Sequence, residues 1–494
     1  MKRILLLCLF FYPLTGAIAQ YSKADLQKDL SYAEKALRET HPGLFRYQTK
    51  QQFDSTLAVT YAQLKDSMSL RDFYKVMSGL ISSIRCAHTV IIPKSNWADT
   101  LRTARFYFPF QIFFIGGEPI LIINRSRNEE ISPGAVLLKI DGRPIMDIVN
   151  EIFSHLFADG FNETLKYRQI HNLLFSYYYN AFISQADSFN IEYRNQQGQV
   201  KKVTLPSVSV AEAEKNMRAN PVNKQIMEGI RKEPKVKFDA RNFRINKRKG
   251  IATIQLRAFF GGKTSKEADQ KLGEFMNECI TKANKQQIRH LVIDLRNNAG
   301  GYDSQGQELL SWLIHQPVQY YKSMHTITNN SPFLEKSGIS KEELKELAKG
   351  KLLIPQPDST FLVTEQANPT LAILQPKPNA YKGNVYFVTN GATGSATAEF
   401  TAVAHHLKVG TFIGEETGGN YTGGNGAEFV GLTLPVTKMR LNIPLVYYRN
   451  AVDEPREKGR GTMPDHEVSY TFQDLLTGVD TQLEFVYRLI EGKK

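Results

Sequence analysis

Residues 384–400 read NVYFVTNGATGSATAEF, and this stretch says more about the fold than any other. A run of β-branched and aromatic residues from Val385 to Val388 predicts a strand, a glycine-rich turn follows, and a helix is predicted from Ala396. Ser395 then lies at the first turn of that helix, where its hydroxyl is exposed and backbone N–H groups can stabilise an oxyanion. The pattern predicts a nucleophile, and a serine that only caps the helix is the alternative.

Two other glycine-rich bends accompany this turn. LVIDLRNNAGG (291–301) predicts a buried strand that ends in two glycines, which let backbone N–H groups turn toward a ligand; a merely flexible turn is the alternative. ETGGNYTGGNG (416–426) lacks the Lys-Ser or Lys-Thr pair of a phosphate-binding loop. Ser395 also lies outside any Gly-x-Ser-x-Gly motif, which argues against the elbow of an α/β-hydrolase.

The N-terminus has the layout of a secretory signal peptide. Lys2 and Arg3 precede an apolar run, and small residues follow up to a predicted cleavage before Gln20, so residues 1–19 are assigned to the signal. A membrane helix is the alternative, but the run is too short to span a bilayer. The sequence therefore predicts an exported protein, periplasmic or extracellular.

Composition narrows the class of protein. The chain has 494 residues, 42% of them hydrophobic and 22% charged, which is typical of a soluble globular protein with two or three domains. The net charge of +13 is spread along the chain without a basic patch, so nucleic-acid binding is not expected. The charge could favour association with an anionic envelope, and a solvated surface explains it equally well. Beyond the signal only Cys86 and Cys279 remain, which leaves open whether they pair.

The N-terminal region, residues 20–100, is predicted to be a small helical domain. Ser22 begins the first helix in the manner of a capping box, and His41 ends it beside a proline, where a cationic or capping role is expected for the histidine. Two further helices are predicted over roughly residues 51–65 and 70–84.

A β-rich module is predicted over residues 105–206. Two apolar runs joined by Gly-Gly-Glu-Pro at 116–119 indicate a hairpin. A Pro-Gly pair, a strand that ends in an Asp-Gly turn, and a helix follow, and together these features resemble a PDZ domain, which binds peptide ends by adding a strand. Residues 207–245 are polar without a clear period, which is typical of a linker or a covering strap.

The rest of the chain, residues 207–494, is assigned to an α/β core. Strands and helices alternate from Gly250 onward, and TLAILQ (370–375) is predicted to be one of the buried strands. A helical insertion over about residues 318–370 interrupts the pattern. Whether that insertion is a lid is left open.

Together these segments resemble the C-terminal-processing, or tail-specific, serine peptidase family. The resemblance is carried by DLRNNAGG, SATAE and GEETGG in that order, with the PDZ-like module and the helical region before them. It implies a crotonase- or Clp-protease-like α/β spiral as the core. It also implies a peptidase that cleaves peptide or unfolded protein substrates through an acyl-enzyme and acts on their C-terminal regions.

One position departs from the best-known branch of that family. There a lysine after the glycine-rich bend is the general base, but the equivalent residue here is Asn420, which cannot take a proton from a hydroxyl. His405 and His406 lie about 15 Å along the helix that Ser395 begins, so they cannot reach it. His88, in CAHTV, resembles the histidine of the family's tricorn-core-like branch. A buried structural histidine is the alternative, and we interpret His88 as the general base.

The remaining site residues follow from the resemblance. Glu457, upstream of a Pro-Asp pair, is the nearest match for an acid that orients His88, and Glu454 and Asp453 are its rivals. The oxyanion donors are expected from the backbone of Ala396 and of Gly300 or Gly301. Asp294 and Arg296 are expected to hold the strand end.

Three functions are thus weighed. An exported serine-type peptidase is predicted first, an inactive peptidase-like scaffold that binds peptide tails or an apolar ligand is the alternative, and a lipase or esterase is a third reading. No cofactor is expected, and no metal, because the sequence has no His-Glu-x-x-His motif and no Cys or His cluster at ligand spacing. The oligomeric state is left open.

Overall fold

The structure is a computed structural model, and it describes residues 20–93, 107–171, 174–232, 241–261, 264–350, 352–455 and 457–492. The predicted signal peptide, residues 1–19, lies outside the described residues. Within the described ranges, no helix is long and apolar enough to cross a membrane.

The N-terminal region contains the three predicted helices. Each begins after a serine or threonine whose side chain accepts a hydrogen bond from a backbone N–H three residues on, which satisfies one of the unpaired donors of the first turn. His41 ends the first helix, and its capping position is confirmed. The apolar faces of the helices pack into a hydrophobic core that they share with the β-rich module. The helix bounds are Lys23–Thr40, Lys50–Gln63 and Leu70–Ser83, and a short ladder pairs Gln20–Tyr21 with Met68–Ser69.

The β-rich module is an antiparallel sheet. The predicted hairpin is confirmed: Ile115 pairs with Glu118, and Gly116 and Gly117 both have positive φ, as the tight two-residue turn requires. Its strands are Phe110–Ile115, Glu118–Asn124, Val136–Ile140, Arg143–Pro144, Ser188–Arg194 and Val200–Pro206. Its helices are Ile145–Phe153, Thr164–Ile170 and Leu174–Tyr178, with a π-helix over Tyr179–Ile183.

For the segment that follows, a linker or a covering strap was predicted, and the structure favours the strap. Helices Val210–Ala219 and Lys224–Lys232 cover the β-rich sheet as a strap, with the buried Ile226 packed against its isoleucines. The helical period was hidden because buried asparagines face the sheet: the side chains of Asn216 and Asn223 donate to backbone carbonyls of the module. These positions are buried without being apolar.

The α/β core is built on a central six-stranded sheet. The strands lie in the order Arg241–Asn246, Ile251–Leu256, His290–Asp294, Asn384–Thr389, Thr411–Gly414 and His466–Glu467, parallel except at the first pair. The helices of this region are Ser265–Lys285, Asp303–Ser311, Ala396–His406, Phe472–Thr477 and Thr481–Ile490. Because parallel strands align their carboxyl ends, the turns after His290–Asp294 and Asn384–Thr389 emerge side by side.

A second sheet of the core is antiparallel, and it reaches across domains. Its strands are Leu353–Pro355, Phe361–Val363, Tyr321–Thr326, Arg440–Asn450 and Asn425–Thr433. The strand Val90–Ile92, which follows the N-terminal helices, pairs with Arg440–Asn450. The chain around His88 is thereby attached to the core.

One prediction for the insertion is correct, and one for the segment directly after it is wrong. Helix Lys341–Ala348 is confirmed, with a capping box between Ser340 and Glu343. TLAILQ is not a strand: Pro369–Leu371 is a 3₁₀ turn, and the segment makes only an isolated bridge between Val318 and Leu374. Pro369 lacks an N–H and suits the first turn of such a helix, which explains the difference. Asp294 and Arg296 hold the strand end as predicted, in a buried ion pair.

Candidate active site

Ser395 and His88 meet although 307 positions separate them in the chain. The distance from Ser395 Oγ to His88 Nε2 is 3.1 Å, within hydrogen-bond range. Both side chains are half-buried. A hydroxyl and an imidazole at this distance are the minimal arrangement for a base-activated nucleophile.

The backbone of Ser395 is strained. Its φ of 50° and ψ of −135° belong to a region that glycine tolerates and side chains disfavour, and its side chain makes no capping hydrogen bond. Helix capping, the commoner role for such a serine, is therefore not what it does here. Strain of this kind persists only where the surroundings enforce it, and it concentrates at functional sites.

Three glycine-rich bends enforce this conformation by contacting one another. Asn297 and Asn390 are joined by two hydrogen bonds, backbone to side chain and side chain to side chain, which tie the first bend to the turn before Ser395. The Gly394 N–H donates to the Asn298 carbonyl, and the Gly418 N–H of the third bend donates to the Thr393 carbonyl. The motifs that were recognised in the sequence thus converge on one point.

The hydrogen bonds of the glycine bend reduce the number of candidate oxyanion donors. The Gly300 N–H donates to Asn298 Oδ1, so it is occupied within its own turn. Gly301 forms a parallel bridge with Phe259 in which the flanking Gly300 carbonyl and Tyr302 N–H make the bonds, and its own N–H therefore points away from that partner. The structure favours Gly301 and Ala396, and it corrects the choice of Gly300.

Gly300 has a different role, which is to leave room. A Cβ at this position would lie 2.6 Å from Ser395 Cβ and 2.9 Å from the Ala396 nitrogen, and the φ of Gly300 is +98°. Only glycine fits here. The bend therefore passes directly against the serine.

His88 is held by segments from several parts of the chain. The Asn442 side chain donates to the His88 carbonyl at 3.3 Å. Asn442 also pairs with Val90 in the ladder that joins this segment to the antiparallel sheet. The Phe429 ring lies 5.8 Å from the imidazole, centroid to centroid. Thr89 Oγ1 and His41 Nε2 are 2.7 Å apart, which links the His88 loop to the end of the first helix.

A buried carboxylate that the sequence did not single out supports the same loop. Asp159 Oδ1 accepts a hydrogen bond from the Ala87 N–H at 2.9 Å, and the Gly160 N–H donates to the Arg85 carbonyl. Asp159 is 5% exposed. It follows the β-rich module's helix in an Asp-Gly pair that looks like an ordinary turn, and only burial distinguishes it.

Burial and charge act on His88 in opposite directions. Burial lowers the pKa of His88, whereas the negative charge of Asp159 and the nearby main chain of Asn425 raise it. Nδ1 of His88 is buried and has no hydrogen-bond partner within the part of the chain that the structure describes. The net direction is downward, so the imidazole is neutral at neutral pH, as a general base must be.

Glu457 does not lie against His88. Its carboxylate is exposed and pairs with Arg460 at 3.3 Å. The rivals are also exposed and engaged elsewhere: Glu454 lies 3.7 Å from Arg449, and Asp453 lies 3.8 Å from His406. The assignment of Glu457 as the orienting acid is therefore corrected, and Asp159 is the acid whose charge acts on His88.

Other predicted positions are accounted for. Asn420 shapes its bend: its side chain donates to the Tyr47 hydroxyl and accepts from the Thr422 N–H. His41 is capping but not cationic, because burial lowers its pKa to about 4. Cys86 and Cys279 are both free and buried, so they do not pair. Among the described residues, no group of three or more His, Cys, Asp or Glu side chains could hold a metal ion.

Comparisons with known proteins agree with this architecture. Residues 250–468 match the model of Peptidase family S41. The structure is similar to that of mature CPAF, with a TM-score of 0.61 at 14% identity over 95% of this chain and 98% of that chain. It is also similar to mature CPAF complexed with lactacystin, with a TM-score of 0.58 at 14% identity over 95% of this chain and 99% of that chain. At this identity the likeness shows a shared mixed α/β fold. No curated protein matches the chain.

Proposed function

We propose that Ser395 and His88 are the nucleophile and the general base of a serine-type peptidase, the class of enzyme found in family S41, whose model residues 250–468 match. The observation that carries the proposal is the 3.1 Å contact between Ser395 Oγ and His88 Nε2, made across 307 positions of sequence. A serine in a strained turn beside a neutral imidazole has the geometry that acyl transfer needs.

The reaction would run through an acyl-enzyme. Ser395 Oγ attacks the carbonyl carbon of the peptide bond while its proton moves to His88 Nε2, and the backbone N–H groups of Gly301 and Ala396 stabilise the oxyanion. The C–N bond then breaks as His88 returns the proton to the leaving amine. A water molecule attacks the ester, again giving its proton to His88, and the collapse of the second oxyanion releases a carboxylate and restores Ser395.

Asp159 would position the base instead of touching the substrate. Its carboxylate anchors the Ala87 N–H beside the histidine, and its negative charge favours the imidazolium that forms during attack. This role resembles that of the acid in a triad, without a direct hydrogen bond to the ring.

Substrate class and location are also part of the proposal. Residues 107–206 are an antiparallel sheet with a hairpin and a helix after an Asp-Gly turn, as in a PDZ-like module that would present peptide or protein C-terminal regions to Ser395. The N-terminal Lys-Arg and the apolar run after it support export to the periplasm or the outside of the cell. The His-using, tricorn-core-like branch is favoured because Asn420 stands where the other branch has lysine.

The test is labelling with a fluorophosphonate probe together with turnover of unfolded casein. We expect labelling and turnover in the wild type, no labelling of Ser395→Ala, and a loss of both in His88→Ala of at least about a thousandfold. Ser55→Ala, on an exposed face of an N-terminal helix, is the matched control for a lost hydroxyl. Undiminished labelling of Ser395→Ala would overturn the nucleophile. A wild type that binds peptides but neither labels nor turns over would instead support the inactive scaffold.

A further inference from the structure

A small cavity lies between the insertion and the antiparallel core sheet. It has a volume of about 210 Å³ and an apolar lining that includes Leu334, Leu347, Val363 and Leu445. Its size suits one apolar side chain. Most of the lining residues belong to the insertion, some of them on its own strands of the antiparallel sheet, and the others lie on the strands Asn425–Thr433 and Arg440–Asn450.

A β-bulge connects the cavity along the chain to Phe429, whose ring lies beside that of His88. Gly426 pairs with Val446 and Phe429 pairs with Pro444, so two residues, Ala427 and Glu428, oppose only Leu445. Ala427 has a φ of 60°, an uncommon conformation for alanine. Bulges re-aim side chains near active sites.

Neighbouring residues of the bulge contact two different sites, the His88 ring and the cavity. Phe429 lies with its ring 5.8 Å from that of His88, whereas Ala427 and Glu428, immediately before it, line the cavity. The cavity is therefore only one or two residues along the chain from a residue that touches the predicted base.

Two carboxylates stand at the cavity. Glu428 is exposed at its rim, and Glu343 lines it while one carboxylate oxygen accepts from Ser340 at the helix start. Neither carboxylate has an ion pair with a basic side chain in the described ranges. Partial desolvation and, to a smaller extent, the negative charge of Glu343 raise the pKa of Glu428. In a chain with a net charge of +13, two acids without a cation between them form a local site of opposite charge.

We propose that this cavity is a specificity subsite of the peptidase, which takes an apolar side chain of the peptide and pairs Glu428 and Glu343 with a neighbouring lysine or arginine. The subsite rests on the proposed function, because it needs a peptide bound at Ser395. Apolar burial supplies the binding energy, and the carboxylates select for the basic residue.

The test uses fluorogenic peptides blocked at both ends, in which a Leu-Arg pair is moved along a fixed sequence around the cleaved bond. Leu-Gln and Gly-Arg versions are measured in parallel. In the wild type, one position of Leu-Arg should give the highest kcat/KM. At that position, replacement of the leucine by glycine should cost at least about tenfold, and replacement of the arginine by glutamine about fivefold.

Variants assign these preferences to the cavity. Glu428→Gln should lose the fivefold preference for arginine and leave Leu-Gln peptides unchanged, whereas Glu342→Gln, an exposed acid on the same helix as Glu343, should not. Ala367→Leu, which fills the cavity from its exposed rim, should lose the preference for leucine. Ala58→Leu, on an exposed helix face elsewhere, is its control.

The outcomes separate the two proposals. If the wild type fails to label with fluorophosphonate, the proposed function fails. If it labels and cleaves but shows no preference for Leu-Arg, or if Glu428→Gln slows all peptides equally while labelling normally, the subsite is overturned. A preference that Ala367→Leu leaves intact would likewise place apolar recognition outside this cavity.

Discussion

Ser395 is held by bends of the α/β core that lie on adjacent strands, whereas His88 is held by contacts from three separate parts of the molecule. The strand Asn384–Thr389 and the helix Ala396–His406 determine the position of the serine. The loop of the histidine depends on the first helix, the β-rich module and the antiparallel sheet. The difference implies that damage outside the core can remove the base while leaving the nucleophile in place.

Among changes to the residues that support the catalytic pair, the largest effect is expected on the serine side. Gly300→Ala would put a Cβ 2.6 Å from Ser395 Cβ and force the glycine bend and the nucleophile turn apart. We expect kcat/KM to fall about 100- to 1,000-fold, as for the loss of oxyanion stabilisation, because the bend also positions the Gly301 N–H. Peptide turnover and the rate of fluorophosphonate labelling measure it.

A control must show that the loss of kcat/KM in Gly300→Ala does not come only from placing alanine at a positive φ. Gly198→Ala introduces a side chain at a comparable positive φ of +79°, but with nothing within 4 Å of the new Cβ. It should lower stability and leave kcat/KM within about twofold of wild type once folded. An equal loss of activity in both variants would show that the Gly300 contact is unimportant.

The histidine half is tested next, through Asp159. Asp159→Asn keeps an oxygen that can accept from the Ala87 N–H but removes the charge, and Asp159→Ala removes both. We expect kcat/KM to fall about 10- to 100-fold, more in the alanine variant. Because the charge of Asp159 raises the pKa of His88, its removal lowers that pKa, so the acid limb of the pH profile of kcat/KM should move to lower pH.

Whether the acid limb of the pH profile moves shows whether Asp159 acts through its charge or only through packing. Asp147→Asn, an exposed acid of the same module, removes the same charge at a distance and should leave the limb in place. An unmoved limb in Asp159→Asn, with activity reduced, would make Asp159 a purely structural residue.

The two halves also differed in how well they could be predicted from sequence. The nucleophile turn, the helix starts and the hairpin depend on neighbours a few residues apart, and Ser395, Ser22 and Gly116 lie where local rules place them. His88 was identified by its resemblance to the histidine of the family's His-using branch, once Asn420 had ruled out the lysine of the other branch. Its partners were not identified, because nothing local marks them.

The residues that could not be predicted from the sequence have one physical feature in common, which is that their polar groups are buried. Asp159 is buried in a turn that looks solvated, Asn216 is buried on the helix Val210–Ala219, and Asn223 is buried in the turn before the helix Lys224–Lys232. Each is satisfied by a hydrogen bond to backbone distant in sequence. Glu457 shows the opposite: it is a plausible acid by position, yet it is exposed and paired with Arg460.

A third prediction concerns stability in acid on the histidine side. His41 is buried beside Thr89, and burial lowers its pKa to about 4 from the ordinary 6.5. Between pH 6.5 and pH 4, His41 therefore binds a proton in the unfolded chain but not in the folded chain. The stability is fully present above pH 6.5 and is lost as the pH falls toward 4, by about 2 kcal/mol at pH 5 from this residue.

Urea unfolding at pH 7.5 and pH 5 measures this loss. His41→Gln keeps a donor for Thr89 without titrating, so its stability should fall less between the two pH values than that of the wild type. His315→Gln, an exposed histidine, should not change the difference. Identical pH dependence in His41→Gln and wild type would contradict the assignment of acid sensitivity to the base-side contact.

The smallest expected effect is a change in stability alone, and it tests whether the backbone of Ser395 is strained. Ser395→Ala and Ser395→Gly both remove the nucleophile, but only glycine relaxes a φ of 50° with a ψ of −135°. The relief of strain should exceed the added entropy of the unfolded chain, so Ser395→Gly should be more stable than Ser395→Ala by about 1 kcal/mol in urea unfolding. At Ser55, in the helix Lys50–Gln63, the order should reverse, because glycine there costs about 1 kcal/mol relative to alanine. If glycine is the less stable substitution at both positions, the surroundings of Ser395 do not strain it, and the proposed contrast between the two halves of the site loses its strongest physical support.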